Sequence, residues 1–359
     1  MSNSQLEQSD QEEELKEKPI KSRKWLWILI LVFFLFGIIG LLAYKTGFTF
    51  SQMSIDFENN AGLFPSVQSE KDPDRINILL LGLRGEKDPH GGLLTDAMMV
   101  LSIKRNTGQV ALISIPRDLY IKMPGTEQKE KINFAYALGE GKKYGGGGII
   151  YSKAIVSEVT GLYIDWAVSV NFKAFQEIVN ALGEINVYLD KPFEEKAQFT
   201  NEIQLSLPAG KNILNGETAL YYVRSRFSSS DFDRMKRQQQ VLTAIKEKAL
   251  SLGFLTNPIK IFNFLSVLGR NVRTDMEIGN IQELLGLSSY LKTGQIIKKV
   301  FDTTPEGLLY STQYNGSYIL LPVAGDFSQI QEVCKNIFFS QPSPTTNIVP
   351  SSPLFNDNY

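Results

Sequence analysis

The longest unbroken apolar run in the chain lies near its start, from Trp25 to Tyr44. A run of about 20 residues is the length that crosses a bilayer core as a helix. Trp25, Trp27 and Tyr44 stand at its ends, where aromatic rings favour the membrane interface. Leu41 to Lys45 offers no small-residue cleavage site, so the run reads as a signal-anchor and not a removed leader. It also lacks the polar punctuation of a soluble helix. Lys21, Arg23 and Lys24 abut its front, and no Lys or Arg follows Lys45 until Lys71. The positive-inside rule then predicts one pass, a cytoplasmic N-terminus and an exported remainder. That placement argues against ATP as a substrate.

Beyond the anchor the pattern shifts to short alternating runs. Residues 45–74 read as a stalk. Ile76–Leu81 is a short run, apolar but for Asn77, and ends at Gly82, as a buried strand does. Ala97–Lys104 and Gln109–Ile115 are β-type runs joined by Arg105-Asn106-Thr107-Gly108, a hairpin signal. Ile149–Val159 has helical spacing, Tyr163–Val170 alternates, and Phe172–Leu182 repeats apolar residues at helical intervals before Gly183. Ile185–Leu189 predicts a strand, Ala219–Arg226 leads into another, and Met235–Leu252 predicts a long helix. Tyr318–Leu321 predicts a late strand, which assigns 254–338 to the same domain. The expected class is α/β: one domain over 75–338, with a mixed central sheet flanked by helices. Residues 1–24 and 339–359 have the polar composition of disordered tails.

Charge and rare residues narrow the chemistry. The net charge of -1 gives no basic field for nucleic acid. The 24 residues before the anchor are too few for a helix-turn-helix and too acidic for a basic arm. One cysteine, Cys334, excludes an internal disulfide framework and a cysteine-rich zinc site. The one histidine, His90, sits in a Gly/Pro-rich loop, a poor place for a triad base. Gly145–Gly148 lacks the Lys-Ser/Thr ending of a P-loop and reads as a flexible loop before a helix.

What remains is arginine. If Tyr221 to Arg226 is a strand, Arg224 and Arg226 project from one face with Tyr222. Two guanidiniums held together suit an anion, phosphate above all; solvated edge arginines are the plainer alternative. The apolar stripe of the next helix runs Val241, Ile245, Leu252, and backwards it meets Gln238, Arg237 and Arg234. Cations in a first turn oppose the helix dipole, which points to a bound anion. Alternatively, Asp231 and Asp233 cap the helix and pair with those arginines. Pro116 ends a strand and aims Arg117, with Asp118 beside it. Asp96 at a strand entrance is either a Mg²⁺ ligand or an ordinary strand cap. Lys131-Ile132-Asn133, with Tyr136 nearby, adds a further cation and amide.

Taken in order, these segments resemble the motif set of the LytR-CpsA-Psr family. They are Asp96 with Met98-Met99-Val100, Ser114-Ile115-Pro116-Arg117-Asp118, Lys131-Ile132-Asn133 with Tyr136, Leu214-Asn215-Gly216-Glu217 with Ala219-Leu220, Arg224-Ser225-Arg226, and Asp231-Phe232-Asp233-Arg234 with Arg237-Gln238-Gln239. The likeness is strongest over 75–250. No single motif is specific; six in sequence are. The resemblance implies a hydrophobic cleft for a polyprenyl chain, and a Mg²⁺-assisted phosphotransferase that moves a glycan from a polyprenyl-(pyro)phosphate carrier to peptidoglycan. A hydrolase at the same site and a non-catalytic lipid-binding regulator of the envelope are the rival expectations. Catalysis is expected from Arg117, Arg224, Arg226 and Asp96. Phosphate binding is expected from Arg117, Lys131, Arg224, Arg226, Arg234, Arg237 and Gln238, and metal binding from Asp96. One position departs: Arg84 stands where the family carries an acidic residue, so either Glu86 or Asp88 supplies the second metal ligand or Arg84 takes over part of the metal's charge role. Leu94 and Thr95 also replace a basic residue usual before Asp96.

Overall fold

The structure, a computed structural model, describes residues 69–85, 92–141, 147–195, 205–226, 229–253, 269–287 and 296–339. The Trp25–Tyr44 run, both tails apart from Phe339, most of the stalk and the loop bearing Glu86, Asp88 and His90 lie outside them. No helix among the described residues is long and apolar enough to cross a membrane.

Six strands make the central sheet: β1 (Arg75–Leu83), β2 (Thr95–Lys104), β3 (Val110–Ser114), β4 (Trp166–Asn171), β5 (Val272–Thr274) and β6 (Ile296–Val300). They lie in the order β5-β4-β1-β2-β3-β6. β1 is antiparallel to β2 and parallel to β4, so the sheet is mixed as expected. Both edge strands come from the last third of the chain. The Ser317–Pro322 strand pairs instead with Leu309–Tyr314 in a separate ribbon.

The alternation of β1 sorts its residues between two layers. Leu79, Leu81 and Leu83 join Ile113, Tyr151, Ile155 and Val159 in the larger core. Helix α1 (Gly147–Thr160) and the closing helix Ser328–Lys335 pack on that side, where Ile330 and Cys334 enter the same core. Gly147 and Gly148 belong to α1 and not to a loop as expected. A Cβ on Gly148 would meet the carbonyl of Tyr136 at 2.6 Å, so this glycine serves close helix packing.

On the other face, Ile76 and Ile78 pack with Ile103, Val110 and Met276. Further along β1 that face lies open beneath a second layer. The layer holds α2 (Phe172–Ala181), the Ile185–Leu189/Gly210–Leu214 ribbon, α3 (Gly216–Arg224) and α4 (Asp231–Ser251). Val179, Val187, Leu220, Val241 and Ala244 form its own core.

α3 corrects the strand expected at Ala219–Arg226. The Asn215 side chain accepts from the Thr218 amide at 2.9 Å and starts a helix. A Cβ on Gly216 would stand 2.3 Å from the Gln176 carbonyl, so α3 begins pressed against α2. Arg224 closes this helix and Arg226 follows it, so the two do not alternate along a strand.

Candidate active site

Between the open sheet face and the helical layer lies a cavity of about 760 Å³. Its walls are largely apolar: Leu80 and Met99 from the sheet, Phe175 and Ile178 from α2, Leu242 and Ile245 from α4. Arg84, Asp96, Arg117, Arg224, Arg226, Arg234 and Gln238 also line it. Along α4 the lining residues Arg234, Gln238, Leu242 and Ile245 fall on one helical stripe, polar at the start and apolar further on.

Asp96 is placed by a β-bulge. Gly82 pairs with Ala97, yet Leu83 pairs with Thr95, which leaves Asp96 as the extra residue. A bulge re-aims a side chain, here into the cavity. Its Oδ1 accepts from the Arg117 guanidinium at 2.5 Å and its Oδ2 from Arg84 Nε at 3.1 Å. Burial raises the Asp96 pKa, but Arg117, Arg84 and Arg234 outweigh it, and the carboxyl sits below its ordinary value.

Arg117 is the hub. Besides Asp96 it faces Asp118 at 3.7 Å and Asp231 at 3.5 Å. Asp231 also holds Arg234 at 2.8 Å, and the Arg234 guanidinium reaches the Asp96 carbonyl at 3.3 Å. Burial, with Arg117 and Arg226 nearby, pushes the Arg234 pKa down to about 10, although Asp231 and Asp96 oppose it. Arg234 Nε, buried, has no hydrogen-bond partner among the described residues. The Arg224 guanidinium lies 4.1 Å from the centre of the Phe172 ring. The Arg226 backbone amide donates to buried Glu195 at 3.0 Å. Among the described residues that line the cavity, five are arginine and Asp96 is the carboxylate, a setting that favours an incoming anion.

Two expected phosphate ligands stand elsewhere. Lys131 donates to Asp118 at 2.8 Å, and the Asn133 amide donates to the Arg117 carbonyl at 3.2 Å. The Lys131-Ile132-Asn133 segment thus braces the Arg117 turn from outside the cavity lining. Arg237 donates to the carbonyls of Tyr222 and Ser225 and to the Ser229 hydroxyl, and stacks on Phe193. One helical step of about 100° separates Gln238, on the cavity, from Arg237, which closes the α3–α4 junction. Gln239, the last residue of the Arg237-Gln238-Gln239 motif, is fully buried. Its buried amide donates to the Leu112 carbonyl, the Ser114 hydroxyl and the Lys299 carbonyl, fastening α4 to β3 and β6. Asp233 forms a capping box with Ser230 and pairs with Lys236, not Arg237.

A hard divalent cation needs several oxygen ligands. Among the described residues no group of three or more His, Cys, Asp or Glu side chains is placed to hold a metal ion. Both Asp96 oxygens already accept from guanidiniums. Among the described residues this donor set does not fit Mg²⁺; Glu86 and Asp88, the other expected ligands, lie outside them.

The fold and cavity define an α/β protein with an apolar cleft whose mouth is crowded with arginine, suited to an amphiphile with an anionic head. The chain belongs to the LytR_cpsA_psr family, whose model matches residues 44–336. The polyisoprenyl-teichoic acid--peptidoglycan teichoic acid transferase TagU of Oceanobacillus iheyensis is 33% identical, covering 74% of this chain and 81% of that one. Biofilm regulatory protein A of Streptococcus mutans is 26% identical, over 95% of this chain and 83% of its own. The crystal structure of Bacillus subtilis TagT superposes with a TM-score of 0.57 at 25% identity, covering 79% and 97%.

Proposed function

We propose that this protein is a membrane-anchored phosphotransferase that moves a glycan polymer from a polyprenyl-pyrophosphate carrier onto peptidoglycan. The observation that carries the reading is the convergence of Arg84, Arg117, Arg224, Arg226 and Arg234, from separate segments, on one apolar cavity. The activity named for the Oceanobacillus relative supports it. Trp25–Tyr44 would hold the domain at the outer membrane face, with the chain's start in the cytoplasm.

In this reading the polyprenyl tail lies against Leu80, Phe175, Ile178, Leu242 and Ile245. An acceptor hydroxyl attacks the glycan-side phosphorus. A P–O bond to the acceptor forms, the bond to the lipid phosphate breaks, and polyprenyl phosphate leaves. The hydroxyl proton is lost to the departing phosphate or to water. Such transfer needs in-line positioning and charge neutralisation more than a covalent protein group. Prearranged guanidiniums in a water-poor cleft supply the neutralisation. Asp96, Asp118 and Asp231 hold Arg117 in place. Arg117, Arg224, Arg226 and Arg234 meet the phosphates, and Gln238 adds an amide.

Full-length protein in detergent, given a polyprenyl-pyrophosphate glycan and peptidoglycan, should release polyprenyl phosphate only when the acceptor is present. Release without acceptor favours the hydrolase. Binding without release favours the regulator, the role suggested by the name of the Streptococcus relative. Arg117→Ala should cut transfer by about a hundred- to a thousandfold while circular dichroism stays native. Unchanged transfer removes Arg117 from the site.

A further inference from the structure

Among the described residues, Asp96 is the carboxylate on which a divalent cation in this cleft would rest. It is the acidic side chain among the lining residues. The neighbouring Asp118 and Asp231 lie on the other flank of Arg117, paired with Lys131 and Arg234. A metal ion at Asp96 would have to share its two oxygens with Arg84 and Arg117 and sit against the arginines around it. Like charges at that range repel strongly in a cleft of low dielectric. Meanwhile Arg84 already lines the cavity at the end of β1, bonded to the bulged Asp96 at 3.1 Å.

We infer that Arg84 is a built-in cation at the reacting phosphate, and that transfer by this chain proceeds without a bound divalent metal. The inference rests on the phosphotransferase reading. Chemically the exchange is sound. A guanidinium stays charged at every relevant pH and offers a planar fork of donors to phosphate oxygens. With five N–H donors, a bond to Asp96 and a bond to phosphate are compatible. What arginine cannot do is turn bound water into hydroxide, as a metal can. An alcohol acceptor attacking a phosphorus in a loose transition state does not require that. Asp96 is then a positioning residue, keeping Arg84 and Arg117 aimed in parallel.

The test is acceptor-dependent polyprenyl phosphate release by the full chain, in EDTA and in added Mg²⁺. Wild type should turn over at the same rate in both. Arg84→Asp places a second carboxylate beside Asp96. It should lose about a hundredfold in EDTA and regain most of that with Mg²⁺. Arg84→Ala, which avoids the new carboxylate pair, should lose a similar factor in EDTA. Wild-type release that collapses in EDTA and returns with Mg²⁺ overturns the inference and leaves the transferase reading standing. Arg84→Ala at wild-type rate in EDTA overturns it too. No release under any condition overturns the transferase reading, and the inference with it.

Discussion

The two ends of β1 each carry an arginine, and their surroundings differ in kind. At its start, Arg75 is 5% exposed. It donates to the Asn77 amide oxygen, the Ser102 hydroxyl and the Cys334 carbonyl, and stacks on Phe338. These partners are neutral dipoles from β1, β2 and the chain's last helical segment, and they close over it. Just past its end, Arg84 meets a carboxylate, and beyond that carboxylate stand Arg117 and Arg234. One guanidinium bonds through Nε and Nη1 to neutral acceptors and ties distant segments together. The other belongs to a crowd of like charges facing an open cavity. The contrast recurs within α4, where Arg237 binds carbonyls and Arg234 faces the lining. The arginines that tie segments together hydrogen-bond to neutral acceptors; those that line the cavity lie among other cations.

The sharpest way to break this comparison is a double dissociation. Arg226→Ala should lower transfer by about a hundred- to a thousandfold, equivalent to about 2.7–4 kcal/mol of barrier. Its melting temperature should change little, because Arg226 is an exposed side chain. A variant that melts early and transfers normally places Arg226 with Arg75. Arg75→Ala should do the reverse. It leaves the Cys334 carbonyl and the Asn77–Ser102 pair short of a donor, at a cost of about 2–4 kcal/mol. For a domain of this size that is a melting shift of roughly 4–16 °C. Transfer per folded molecule should match wild type, and a selective loss of turnover would erase the distinction.

How much of this was legible in the sequence depends on which partner decides each feature. β1, the β2–β3 hairpin and α2 were legible because their own periodicity and caps decide them. α3 was not. Tyr221-Tyr222-Val223 favours a strand, but the Asn215 cap and the contact of Gly216 with Gln176 impose a helix. The Asn215-Gly216-Glu217 start was the available signal, since a cap residue before an acidic first turn marks a helix N-terminus. Asp96 was identified as a site residue, yet the bulge that aims it depends on the register of two strands. Arg237 and Arg234 carry the same chemistry three residues apart. Only the packing of α3 against α4 separates the one that binds carbonyls from the one that lines the cavity. The grouping of Arg117, Arg224, Arg226 and Arg234 was legible through the order of motifs, because no local spacing brings them together; Arg84 belongs to no motif of that set and stood out only as a departure from it.

The smallest effect concerns the carboxylate between the two guanidiniums, and it sharpens the comparison through pH. Burial raises the pKa of Asp96, but Arg117, Arg84 and Arg234 lower it further, to below 3.8. A folded-state pKa that lies below the unfolded value contributes stability above the unfolded pKa, and that contribution is lost as pH falls through the folded one. Wild type and Asp96→Asn should therefore differ most near neutrality, where the ionised carboxylate offsets its cationic neighbours. Their urea midpoints should converge as pH drops below 3.8, once wild type also carries a neutral side chain there. The hydrogen bonds of Arg75 go to neutral acceptors, with Asp72 only its weakest electrostatic neighbour, so an Arg75→Ala deficit should persist across the same window. If the Asp96→Asn deficit also persists undiminished in acid, Asp96 acts through shape and hydrogen bonding, as the partners of Arg75 do. The opposition between a neutral and an ionic setting would then fail where it is most specific.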